Sequence, residues 1–256
     1  MRPGEAWTRL SNTPWQRDET VIRGILFDKD GTLFDFQATW AGVIDLLLDE
    51  LAPEPHIRAR MAADAGFDPA TRRFMPGSPI VAGATAETAA IWARHRPDLG
   101  AQHIERMANA AGLAVARRPG GLVPAVPDLP GLLDSLLARG LALGVATHDA
   151  EEGARVQLTT AGALDRFGFI SGYDSGHALK PDPAMLLAFA RQAGIPPAGV
   201  IMVGDSRHDL EMVAPAGAAL AVGVLTGPAT AADLAPHADH ILPSIGDLPN
   251  LLDSLG

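Results

Sequence analysis

Two apolar patterns alternate along most of the chain. Short, largely apolar runs occupy residues 21–27, 141–147, 200–205 and 219–224, with weaker ones at 238–242 and around Ile170. Continuous runs of this length suit strands covered on both faces, as in a parallel sheet. Between them apolar residues recur at helical spacing. Residues 128–140 stop at Gly140, residues 149–162 open on acids and stop at Gly162, and residues 181–194 carry Pro183 near the first turn and end at Gly194. Acids and proline at a helix start and glycine at its end are the expected punctuation. A shorter helical stretch spans 206–217. From residue 119 onward helix alternates with strand, which predicts an α/β fold with a doubly wound, mostly parallel sheet.

Residues 37–118 break this rhythm. "ATWAGVIDLLLDEL" and "GAQHIERMANAAGLAVARR" are helical in pattern, and no stretch reads convincingly as a strand. The segment therefore predicts a helical insertion, a second domain placed directly after the first strand. Within it "MPGSPIVAGAT" reads as a loop facing the substrate. The resulting division is an N-terminal arm at 1–20, a core at 21–36 and 119–256, and the insertion at 37–118. The arm is polar, is interrupted by Pro3 and Pro14, holds Trp7 and Trp15 as packing points, and has no apolar signal segment.

Composition narrows the chemistry. A formal net charge of −10 gives no general attraction for nucleic acid or an anionic membrane. With no cysteine, a metal must be held by oxygen or imidazole. No apolar run reaches the length of about 18 residues expected of a membrane span. These features fit a cytoplasmic monomer or homodimer acting on a small molecule.

The candidate chemistry sits where apolar runs stop. "GILFDKDGTLFDF" ends its strand in Asp28, Lys29 and Asp30. Side chains alternate along an extended chain, so Asp28 and Asp30 are expected on one side and Lys29 on the other, paired with a neighbouring acid. Two close carboxylates raise each other's proton affinity unless a cation intervenes. Mg²⁺ suits, since it is hard and is held by one or two carboxylates with substrate phosphate and waters. Gly31 permits a turn that brings backbone N–H groups near an anion, and Thr32 adds a hydroxyl. Ligands of open α/β sheets bind beyond the carboxyl ends of the strands. The other predicted strand ends offer Thr147 and His148, then Lys180 in "GHALKPDP", then Asp205 and Asp209 in "GDSRHDLEM".

Taken in order, "DKDGTLFD", "VATH", "ALKPDP" and "GDSRHDLEM" resemble the motifs of the haloacid-dehalogenase-like (HAD) hydrolase superfamily. The likeness is to its phosphoglycolate-phosphatase-like branch, whose helical cap follows the first motif. The resemblance implies a Rossmann-like core and a phosphatase that uses Mg²⁺. It implies Asp28 as nucleophile, Asp30 as general acid and base and a backbone metal ligand, and Thr147 and Lys180 as catalytic phosphate-binding groups. Gly31 and His148 join them around the phosphate, Asp28 and Asp205 hold the metal, and Asp209 supports that shell. The second aspartate separates the pattern from the superfamily's dehalogenases. Two positions depart from it: His148 stands where asparagine is usual, and Lys29 where an apolar residue is. The small phosphorylated metabolite implied includes phosphoglycolate. A phosphomutase using the same aspartyl-phosphate and a non-catalytic phosphate-binding module are the alternatives. Plainer readings of single residues also stand. Ser206 and Asp209 form a helix cap, Lys180 is a solvated lysine before a proline turn, and Trp40, Trp92, Phe67 and Phe74 belong to a core.

Overall fold

The computed structural model describes residues 21–75, 78–82 and 85–255, with the side chains of 81 and 82 excepted. The N-terminal arm lies outside the described residues. All six expected strands form, as β1 (Gly24–Phe27), β4 (Ala142–Ala146), β5 (Phe169–Ser171), β6 (Val200–Gly204), β7 (Leu220–Val224) and β8 (His240–Leu242). They make one sheet in the order β5-β4-β1-β6-β7-β8, every neighbouring pair parallel. β1 therefore lies at the centre, flanked by β4 and β6.

Alternation of side chains across the sheet divides the core in two. Ile25, Phe27, Val145, Ile201 and Val203 face α6 (Leu129–Ala138), α7 (Glu151–Thr160) and α12 (Leu248–Leu255) through Leu133, Leu136, Leu158 and Leu251. Leu26, Val200 and Met202 face the opposite layer, with α8 (Ala184–Ala193), α9 (Arg207–Leu210), α10 (Val213–Ala216) and α11 (Ala231–Leu234). The apolar runs follow from this two-sided burial. Removing Leu26, fully buried between both neighbours of β1, as Leu26→Ala would cost about 2–5 kcal/mol. Helix ends match their sequence signals. Asp128 accepts the Gly131 N–H at 2.9 Å, and Gly194 closes α8 with φ 68°.

The insertion leaves and re-enters the core through two hydrogen-bonded linkers. Asp35 donates its N–H to the Val123 carbonyl at 2.8 Å, and Ala125 donates to Leu33 at 2.9 Å. The Asp35 carboxylate also accepts the Ala38 N–H at 2.8 Å, capping α1 (Phe36–Leu51). After α1 come α2 (Pro55–Asp64), β2 (Phe67–Asp68), β3 (Arg73–Phe74), α3 (Pro79–Ala82), α4 (Thr85–Trp92) and α5 (Ala101–Ala116). Ile44, Leu47, Leu48, Leu51, Met61, Trp92 and Ile104 form a core separate from those of the sheet. Trp92 donates its indole N–H to the Met61 carbonyl at 2.8 Å. Two expectations change here. An antiparallel pair, β2 with β3, appears where no strand was expected, because Phe67 and Phe74 meet at 5.0 Å between ring centres and close it. The expected loop at 75–85 contains a turn of helix, α3. Tyr173, after β5, ties α5 to the core by donating to Glu105 at 2.6 Å and accepting from Asn109 at 3.2 Å.

Candidate active site

The carboxyl ends of β4, β1 and β6 are neighbours in the sheet, so the residues that follow them converge. Asp28 extends β1 by one hydrogen bond, donating its N–H to Val203 at 2.8 Å. Thr147 follows β4 and Asp205 follows β6. Lys180 reaches in from the loop after β5. Its ammonium donates to Asp28 at 2.6 Å, to Asp209 at 2.6 Å and to the Ala146 carbonyl at 3.1 Å. Asp28, Thr147, Lys180, Asp205 and Asp209 are all buried. Lys180 is thus a buried ion-pair partner of two acids and not a solvated lysine.

Burial governs the protonation of this cluster. It pulls the Lys180 ammonium down, but Asp209 and Asp28 more than reverse the effect and hold it above the usual lysine value. It pushes Asp28 up to about 6, against the attraction of Lys180. Asp205 lies well above the ordinary carboxylate range, through burial and then the charges of Asp28 and Asp209. A buried acid surrounded by acids calls for a cation. Asp28, Asp205 and Asp209 each offer an oxygen within 4.8 Å of the others. Those of Asp209 are already engaged: one accepts from Lys180, the other from the Ser206 N–H at 3.0 Å and hydroxyl at 2.7 Å. Ser206 and Asp209 are therefore both a helix cap and part of the charged cluster. Asp28 and Asp205 are left to hold a metal, and their all-oxygen donor set fits a hard dication such as Mg²⁺.

Two glycines make room around Asp205. A Cβ on Gly31 would lie 2.3 Å from its Oδ2, and one on Gly227 would lie 1.7 Å from it. Gly31 also has φ +87°, a left-handed conformation that favours glycine. Its N–H, expected near an anion, instead donates to the Phe34 carbonyl at 2.7 Å. Closure of the turn consumes that donor, so Gly31 shapes the site without offering a hydrogen bond to phosphate.

Lys29 is fully buried and paired with acids. It meets Asp30, Asp149 at 3.0 Å and Gln157 at 2.6 Å. Strict alternation would have kept it away from Asp30. The chain is already turning toward Gly31 at this point, so the two neighbouring side chains meet. Burial lowers the Lys29 pKa, but Asp149 and Asp30 outweigh it and raise it above the ordinary value. Asp30 is lifted by burial to about 7, with Lys29 opposing and Asp149 assisting. Its Oδ1 is buried and has no partner among the described residues. Asp149 and Gln157 were not picked out from sequence. A glutamine on the apolar side of α7 was the available signal.

Above the acids lies a cavity between the core and the insertion. Asp28, Asp30, Thr147, His148, Lys180 and Asp205 line its floor, and Trp40, Ile80, Thr85 and Thr88 line its roof. Thr147 accepts the Asp149 N–H at 3.1 Å, leaving its hydroxyl hydrogen free to donate. His148 has a buried Nε2 with no partner among the described residues. Burial, aided by the charge of Lys180, brings its pKa down to about 4, so the ring is neutral at neutral pH. Trp40 and Trp92, expected in a core, both contribute to the cavity wall as well.

Residues 22–217 match the family model for haloacid dehalogenase-like hydrolases. The chain is 32% identical over 244 residues to a phosphoglycolate phosphatase of Yersinia pseudotuberculosis, covering 91% of this chain and 97% of that one. It is 29% identical over 248 residues to the phosphoglycolate phosphatase of Escherichia coli K12, covering 89% and 91%. Solved structures share the fold at lower identity. A HAD family hydrolase of Deinococcus radiodurans with bound phosphate and sodium superposes with TM-score 0.64 at 21% identity, over 93% of this chain and 97% of that one. A β-phosphoglucomutase of Clostridium difficile gives 0.62 at 16%, over 92% and 97%. Among the described residues no helix is long and apolar enough to cross a membrane. With four motifs meeting at one crevice and this breadth of likeness, the chain belongs to the haloacid dehalogenase-like hydrolase family, in its phosphoglycolate-phosphatase-like branch.

Proposed function

We propose that the protein is a Mg²⁺-dependent phosphatase that hydrolyses a small phosphomonoester through an aspartyl-phosphate on Asp28. The observation that carries this reading is the buried Asp28 carboxylate. One oxygen is held by Lys180 at 2.6 Å while the group stays within 4.8 Å of Asp205. Asp28 and Asp205, with the Asp30 carbonyl, would hold the metal. When bound, it would offset negative charge on the acids and the transferring phosphoryl group.

Asp28 attacks phosphorus, and the bond to the leaving oxygen breaks. Asp30, lifted to about 7, still holds its proton in a large fraction of molecules at neutral pH and gives it to the leaving alkoxide. It then takes a proton from the water that attacks the phosphoenzyme, which releases phosphate and restores Asp28. Lys180 neutralises charge on the nucleophile and the phosphoryl oxygens, and the Thr147 hydroxyl donates to those oxygens. Neutral His148, whose other ring nitrogen donates to the Lys180 backbone, presents Nε2 as an acceptor for a substrate hydroxyl. Asp209 keeps Lys180 in place. The insertion acts as a cap that limits access of bulk water and contacts the leaving group.

Phosphate release from small phosphomonoesters, measured with Mg²⁺ and again with chelator, tests the proposal. Stoichiometric release that requires the metal supports it, and phosphoglycolate belongs in the panel because relatives bear its name. Phosphoryl transfer to a second hydroxyl without release would favour the phosphomutase reading. Binding of phosphate without turnover would favour a binding module.

A further inference from the structure

Lys29 departs from the family pattern, and its surroundings give it work to do. The side chain is fully buried. Its ammonium meets three acceptors, one for each N–H: Asp30 Oδ2, Asp149 Oδ2 at 3.0 Å and Gln157 Oε1 at 2.6 Å. An ammonium with all its donors engaged is held in orientation, and it holds its partners in turn. Two of those partners are carboxylates and the third is a neutral amide. Gln157 therefore completes the set without adding another negative charge to a buried site.

The consequence falls on Asp30, which lines the cavity floor. Its Oδ2 is taken by Lys29, and its Oδ1 is buried with no partner among the described residues. The torsion that swings a carboxylate is broad and soft, so a fixed Oδ2 is what aims Oδ1. Oδ1 is left to give a proton to the leaving oxygen as its bond to phosphorus breaks, and later to take one from water.

Asp149 extends the same restraint. Its backbone N–H donates to the Thr147 hydroxyl at 3.1 Å, and its carbonyl accepts the Tyr173 N–H at 3.0 Å. One residue thus touches the hydroxyl that serves the phosphoryl oxygens and, through Lys29, the acid that serves the leaving oxygen. These two groups act on opposite ends of the bond that breaks. Misplacing such groups by about 1 Å can cost about 10²-fold in rate.

We propose that Asp149 and Gln157 are positioning residues for the general acid: acting through Lys29, they hold Oδ2 of Asp30 so that Oδ1 meets the leaving oxygen. The proposal rests on the phosphatase reading and adds two residues to it.

The test compares kcat/KM for phosphoglycolate and p-nitrophenyl phosphate at saturating Mg²⁺ in the wild type, Asp149→Ala and Gln157→Met. Each substitution removes one acceptor from Lys29, and neither removes the backbone bond between residue 149 and Thr147. kcat/KM covers the steps up to departure of the leaving group. An alkoxide needs a proton to leave, whereas p-nitrophenolate needs little help. Both variants should therefore lose about tenfold or more toward phosphoglycolate and less than about threefold toward p-nitrophenyl phosphate. A residue that only supports the fold would lower the two esters alike. An equal loss, or no loss, would overturn the assignment and leave the phosphatase reading intact. Release of phosphate from neither ester by the wild type would overturn both. The Asp149 side chain is 17% exposed, so Asp149→Ala decides the matter if the buried Gln157→Met does not fold.

Discussion

The crevice at the sheet and the insertion above it are built on opposite terms. Around Asp28 the structure buries two lysines and several acids, and each lysine is held between acids: Lys180 between Asp28 and Asp209, Lys29 between Asp30 and Asp149. Across the cavity the described wall is mainly apolar, with Thr85, Thr88 and a Trp40 indole N–H that has no partner among the described residues as its polar features. The difference teaches where each property of the enzyme resides. On the proposed reading, charge placed at strand ends by hydrogen bonds governs the reaction, while the shape of the cavity wall in the insertion governs what is accepted. Substitutions on the two sides should therefore fail differently, in kcat below and in KM or selectivity above.

The largest effect is expected at Asp28. Asp28→Asn should lower kcat by about 10⁴-fold or more, as for loss of a nucleophile. Residual turnover near the wild-type rate would dissolve the distinction between the two regions. Asp30→Asn should cost about 10²–10⁴-fold, the range for a general acid and base. The deficit should be greater for alkyl esters than for p-nitrophenyl phosphate, whose leaving group needs little protonation. Lys29→Met should lower kcat by roughly 10–100-fold through the loss of a group that orients Asp30. It should also destabilise the fold by about 3–5 kcal/mol, since removing one partner leaves buried acids unpaired. Urea unfolding read beside kinetics separates the two consequences. At the small end, Trp40→Phe should leave kcat within about threefold and raise KM by less than about tenfold. A collapse of kcat in that variant would place the insertion within the chemistry.

Stability against pH sharpens the same contrast. In the metal-free protein Asp28 titrates at about 6 and Asp30 at about 7, against an ordinary value of 3.8. Raised carboxyl groups bind more protons folded than unfolded, so their contribution disfavours folding as pH rises from about 4 to about 7. A dication bound to the ionised acids opposes that loss. Mg²⁺ should therefore raise Tm more at about pH 8 than at about pH 5. An equal shift at both would separate the metal from these carboxylates.

What the sequence revealed divides along the same line. The parallel sheet was legible because strands covered on both faces leave continuous apolar runs, and Gly140, Gly162 and Gly194 punctuated the helices. Asp28, Thr147 and Asp205 stood out as polar groups at strand ends, and Lys180 and Asp209 through the motifs that carry the family resemblance. The structure gathers those five at the crevice. Lys29 was an anomaly whose partner acids could be expected but not named. Asp149 and Gln157 lie 120 and 128 positions further along the chain, and only the packing of α7 brings them to it. The donor of Gly31 was misassigned because a free backbone N–H and one closing a turn look alike in sequence. The cavity wall was obscure for a plainer reason. Phe36, Ile44 and Ile80 belong to the insertion's core and also face the cavity, and an apolar residue serving both roles has no distinguishing pattern. The short pair β2 and β3 escaped notice because two residues per strand are too few to show alternation.

The central claim is that Asp28 takes the phosphoryl group. Mixing the enzyme with a hydrolysable phosphomonoester and Mg²⁺, quenching in acid within one turnover and mapping peptides by mass spectrometry tests it directly. The account predicts one phosphoryl group on Asp28, appearing before phosphate is released and absent from Asp28→Asn. A phosphoryl group on another residue, or turnover by Asp28→Asn at the wild-type rate, would contradict it.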